Sequence, residues 1–78
     1  MGSEPVHHRE DKAGVHLTER EREVLHQLVE GCSNKEMARR MYVSETTIKN
    51  NLSSIFAKME VRDRTQAVIF AIQNGLVN

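Results

Sequence analysis

A chain of 78 residues with one Cys, one Pro and 4% aromatic residues excludes an internal disulfide and the disulfide-stapled secreted scaffolds, and it fits one small all-α domain better than a β barrel. No apolar run is long enough to span a membrane and no basic start leads into an apolar stretch of the secretory kind, so the chain is expected in the cytoplasm. Eleven Lys/Arg balance eleven Asp/Glu, but unevenly: residues 1–32 hold four against seven, 33–59 five against two, and 60–78 two of each, a distribution that sets a basic stretch into a neutral or acidic body.

Residues 1–16 show no apolar periodicity and read as a disordered arm or the tail of a linker, leaving a domain at 17–78. The first helix is announced by Leu17-Thr18-Glu19-Arg20-Glu21. Thr18 as N-cap and Glu21 three residues on make a capping box, and acidic residues in the first turns suit the helix dipole. Val24, Leu25, Leu28 and Val29 form its buried stripe, and Gly31 is a natural stop. Ser33 opens a second helix with Glu36 as box partner and Met37, Ala38 and Met41 as its apolar face. Tyr42-Val43 is too short for a strand and serves as a tight turn into Ser44. Asp63 caps the last helix with Gln66 as its box partner. There Ala67, Val68, Ala71 and Ile72 are expected to face inward, Gly75 closes the helix, and Leu76 and Val77 fold back.

The third helix, over 44–59, organises the chain. Ile48, Leu52, Ile55 and Met59 recur at spacings of four, three and four, one face of a helix that Phe56 widens. The opposite face carries Thr46, Thr47, Lys49, Asn50, Ser53 and Ser54, with no carboxylate after Glu45. A solvated face is more often laced with Glu/Lys pairs. Short hydrogen-bonding side chains near a helix N-terminus suit contact with phosphates and base edges. Helices two and three are joined by about three residues, with small Ala38 on the inner face, which is the spacing of a helix-turn-helix; a plain helical hairpin has that spacing too.

These residues also resemble a known family. Leu17-Thr18-Glu19-Arg20-Glu21 continues to Val24-Leu25, then to Gly31-Cys32-Ser33-Asn34-Lys35-Glu36-Met37-Ala38. Val43-Ser44-Glu45-Thr46-Thr47-Ile48-Lys49 follows, then Lys58-Met59, Val61, Arg64, Ala67-Val68, Ala71 and Gly75-Leu76-Val77. In order and spacing the series resembles the LuxR-type helix-turn-helix domain, also called the GerE or NarL/FixJ output domain, over 17–77. The resemblance implies an all-α, four-helix domain of a bacterial transcription regulator that binds double-stranded DNA as a homodimer through its last helix, with RNA polymerase as a further partner. It implies base contact by Lys49, Asn50 and Ser53 and DNA backbone contact by Asn34, Lys35, Thr47 and Lys58; Thr46 and Asn51 are expected at the DNA backbone with them. Two departures stand out. Asn51 replaces a frequent histidine and is expected, on the side nearer the protein, to bond a backbone group or a phosphate. Ser53 replaces a frequent cation, which should weaken nonspecific affinity.

Other functions have less behind them. Cys32 reads as a small residue at a helix boundary rather than a reactive thiol. His7, His8, His16 and His26 lack zinc-site spacing, and Glu19, Glu21 and Glu23 are accounted for by a capped first turn. No Gly-rich phosphate loop or nucleophile motif appears, so no enzyme, cofactor or metal is expected. Ile69 points away from the apolar face of the last helix, and with Gln66 and Gln73 it is taken as the dimer contact; Phe70 seals the domain edge. The competing functions are promoter binding of the sigma-factor region-four kind, and a helix-turn-helix kept as a protein-interaction module.

Overall fold

A computed structural model gives the structure of the protein and describes residues 14–77. The arm expected over 1–16 lies outside the described residues apart from Gly14, Val15 and His16. Four helices follow in order: α1 (Glu19–Val29), α2 (Asn34–Met41), α3 (Glu45–Met59) and α4 (Arg64–Gln73). Among the described residues there is no strand.

Each helix starts at the residue whose side chain can accept from its free N–H groups. Thr18 Oγ1 accepts from the Glu21 N–H at 3.0 Å while Glu21 Oε1 accepts from the Thr18 N–H at 2.9 Å. Ser33 and Glu36 close the same reciprocal box at 3.1 and 2.9 Å. Ser44 accepts from Thr47 at 3.1 Å and Asp63 from Gln66 at 2.9 Å. The box expected at Asp63 closes one residue early, because Gln66 Oε1 accepts from the Arg62 N–H, at 2.8 Å.

The four helix ends share one device. A residue with positive φ (Gly31, Tyr42, Glu60 and Gly75) turns the chain, and the next N–H bonds back five residues: Cys32 to Gln27, Val43 to Ala38, Val61 to Phe56 and Leu76 to Ala71, at 2.9–3.1 Å. This is the Schellman arrangement, which satisfies the last carbonyls and folds an apolar residue back onto the helix. Cys32 is therefore the apolar stop of α1, buried at 7% exposure. Tyr42 and Glu60 adopt the left-handed conformation without being glycine, at a cost of about 1–2 kcal/mol each.

α1 packs on α3 and α4, and α3 packs on α2 and α4. The core between them is Leu17, Val24, Leu25, Leu28, Met37, Ala38, Ile48, Leu52, Ile55, Met59, Ala67 and Ala71, joined by Val15 and Cys32. Ile48, Leu52, Ile55 and Met59 on the inner face of α3 are all buried, with Phe56 half-buried against them. Two positions differ from expectation. Val15, placed in the arm, is 4% exposed and belongs to the core, so the packed domain begins before Leu17. Ile72, expected to face inward, is 59% exposed. The inward line of α4 runs through Ala67 and Ala71, and at about 100° per residue Ile72 lies a further step round the helix, beside Ile69.

Candidate functional site

α3 divides into three sides. The first, Ile48, Leu52, Ile55 and Met59, is sunk in the core. The second, Thr47, Asn51, Ser54 and Lys58, turns toward the protein: Thr47, Asn51 and Ser54 are half-buried. The third, Thr46, Lys49, Asn50 and Ser53, is exposed and carries no carboxylate. Steps of about 100° per residue gather these last four on one strip opposite the core. The structure thus brings together the three residues expected at bases, Lys49, Asn50 and Ser53, with Thr46 beside them.

The protein-facing side of α3 holds it to α1. Glu21, 5% exposed, accepts at Oε2 from Ser54 Oγ at 2.6 Å and at Oε1 from Lys58 Nζ at 2.6 Å. Burial alone would push this carboxyl up. The hydrogen bonds from Lys58, Ser54 and the Thr18 N–H, with the Lys58 charge, more than offset that and hold it below the ordinary carboxylate value. Lys58, expected at a phosphate, sets its ammonium against Glu21, because its place on the helix turns it to α1. Ser54, grouped with the polar reading face, is the second anchor. Glu21 also does more than cap its own helix. Asn51 Nδ2 donates to the Thr47 carbonyl at 2.9 Å. Thr47 Oγ1 lies 3.0 Å from Ser44 Oγ, in the cap.

α2 is braced at both ends. Lys35 is exposed on its first turn and Asn34 is half-buried. Arg64, the first residue of α4, donates from Nη2 to the Cys32 carbonyl at 2.8 Å and from Nη1 to Asn34 Oδ1 at 3.3 Å. At the other end Arg40 lies 3.6 Å from Glu30, which also meets His26 at 3.5 Å. The Glu36 carboxyl is held below its ordinary value by the Ser33 N–H.

α4 exposes Ile69 (49%) and Ile72 (59%), three residues apart and so neighbours on the helix surface. Gln66 and Gln73 are exposed as well, while Phe70 packs against the core. Reading from sequence found Ile69 but missed Ile72. No helix among the described residues is long and apolar enough to cross a membrane.

A short helix braced on the core, a tight left-handed turn and a second helix with one exposed polar strip define a helix-turn-helix domain of the transcription-regulator class. Residues 15–71 match the family of bacterial regulatory proteins, luxR family. The chain belongs to that family. It is 52% identical over 60 residues to the transcriptional regulatory protein LnrK of Bacillus subtilis, covering 77% of this chain and 27% of that protein. It is 51% identical over 61 residues to the transcriptional regulatory protein DegU of Brevibacillus brevis, covering 78% and 26%. The chain thus spans little more than a quarter of these relatives. Among solved structures, transcription factor GerE superposes with a TM-score of 0.74 at 34% identity, over 80% of this chain and 92% of that one. The DNA-binding domain of the response regulator ComA, solved with the anti-activator RapF, gives 0.70 at 39% identity, over 72% and 97%.

Proposed function

We propose that the chain is the DNA-reading part of a cytoplasmic bacterial transcriptional regulator, binding double-stranded DNA sequence-specifically with α3 in the major groove and a second copy on a symmetric half-site. The observation that carries this reading is the exposed strip Thr46, Lys49, Asn50 and Ser53, free of carboxylates and set on a helix whose other two sides are committed to the protein. Lys49 donates to guanine O6 and N7. Asn50 offers the donor–acceptor pair that matches adenine N6 and N7, and Ser53 adjusts the fit. Lys35, Asn34, Thr46 and Thr47 hold the phosphates on either side. Lys58 and Asn51 stay with Glu21 and Thr47. RNA polymerase is the further partner such a regulator addresses, and no enzymatic step is assigned.

Selection of DNA sites from random sequence tests the reading face. Asn50→Ala should cost about 1–3 kcal/mol on the best site and relax preference at one base pair. Asn51→Ala should leave the selected motif intact, since its amide is already spent on the Thr47 carbonyl. A motif changed by Asn51→Ala and not by Asn50→Ala would shift the reading strip by one residue. Indifference to DNA at low salt would favour the protein-interaction module instead.

The dimer contact rests on Ile69, Ile72, Gln66 and Gln73. An exposed apolar pair on one helix is small beside the interfaces of stable dimers, so pairing is assigned to the DNA-bound state. Ile69→Glu should weaken binding to a paired site at least tenfold, an order-of-magnitude expectation for a charge forced into an isologous contact, and leave a single half-site nearly unaffected. Equal losses on both duplexes would take α4 out of the interface.

A further inference from the structure

Arg64 stands where a helix least favours a cation. It is the first residue of α4, at the positive end of the dipole, with the Asp63 carboxylate at the cap before it and no acidic residue within the first turn itself. Residues that break a local rule mark places where tertiary contact decides. Here the contacts are both to the start of α2: the Cys32 carbonyl at 2.8 Å and Asn34 Oδ1 at 3.3 Å. A guanidinium only donates. It therefore fixes which end of the Asn34 amide faces it, the oxygen, and turns the two Nδ2 donors the other way. Asn34 is half-buried, its contact with Arg64 lies at the surface, and its donors have no other partner among the described residues.

We propose that Arg64 is a positioning residue for DNA binding: from α4 it holds the Asn34 amide with its N–H groups turned outward, ready for a phosphate oxygen at the start of α2. An unheld asparagine would present oxygen or nitrogen about equally, and the oxygen end repels phosphate. Arg64 thus converts a side chain of either polarity into a donor. It also ties the helix carrying the dimer contact to the helix that grips the DNA backbone. This role rests on the proposed binding of DNA at α2 and α3.

The test uses the whole chain and a duplex selected by it, with affinities read by fluorescence anisotropy at one salt concentration. Arg64→Met should weaken binding about three- to tenfold, the worth of one oriented hydrogen bond to phosphate, and Asn34→Ala should do the same. The double variant should bind no worse than Asn34→Ala alone. Arg64→Lys, which keeps the charge but cannot fork to both acceptors, should recover only part of the loss. In the free protein the Asn34 side-chain amide resonances should move in Arg64→Met. Full loss from Arg64→Met in the Asn34→Ala background would overturn the proposal, since Arg64 would then act by itself or through the fold at large. Unchanged affinity of Arg64→Met would overturn it as well. Lys49→Ala separates this from the parent reading. If it weakens binding while Arg64→Met does not, only the Arg64 role falls; if neither does, the assignment of α3 to DNA falls with it.

Discussion

Ile48→Ala should remove about 2–5 kcal/mol of stability, whereas Lys49→Ala, one residue on, should change stability by less than about 0.5 kcal/mol and remove DNA affinity. Ile48 is 0% exposed, on the side of α3 that α1, α2 and α4 close over, so truncation leaves a cavity that rigid neighbours fill only in part. A domain of this size holds roughly 3–9 kcal/mol in all, so the variant loses a large share of its stability. Urea titration followed by circular dichroism should show a lower midpoint with an unchanged slope. A cost below about 1 kcal/mol would mean that α3 is not the centre of the core. The pair of substitutions separates the side of the helix that holds it from the strip proposed to read DNA.

Glu21→Gln should cost about 1–3 kcal/mol at neutral pH, and the cost should fade in acid. The carboxylate accepts from Thr18, Ser54 and Lys58 at 2.6–2.9 Å. An amide in its place turns donors toward donors. The Lys58 side chain is 36% exposed, so the ion pair supplies the smaller share and the hydrogen bonds the larger. The pH dependence follows from the lowered carboxyl. With the folded value below the unfolded one of about 4.3, the unfolded chain takes up the proton first. The stabilisation is whole above the unfolded value and is lost as pH falls through the folded one. Parallel unfolding curves of wild type and Glu21→Gln should therefore converge below the ordinary carboxylate range. Glu36, also lowered, is common to both proteins and cancels in the difference. A gap that stays constant in acid would mean that the charge on Glu21 contributes nothing.

What sequence reading reached was whatever is written locally. Thr18, Ser33, Ser44 and Asp63 announce their helices because a cap and its N–H partner lie within three residues of each other, and the buried line of α3 is legible because its four large residues keep one spacing. α4 is different. Residues 67–72 are apolar without a break, and the contact is carried by two alanines, so the pattern alone does not say on which side Ile72 falls. Val15 stands alone among polar neighbours and offers no period at all. The residues that hold the site were the hardest to see. Glu21 meets Lys58 across 37 positions and Arg64 meets Asn34 across 30. Each fits an obvious local role, in a cap or on a helix surface, that conceals the distant one. Lys49, Asn50 and Ser53 needed no such contact, since exposure on one strip is a property of the helix itself.

The shared ending of the four helices bears on how the domain meets a duplex. Cys32, Val43, Val61 and Leu76 are each drawn back against the helix they terminate, so the connections among the described residues are hydrogen-bonded corners rather than slack. A body jointed in this way is preorganised. Little ordering entropy is left to be met on association, and in the proposed reading adaptation to one base pair or another falls to the rotamers of Lys49, Asn50 and Ser53.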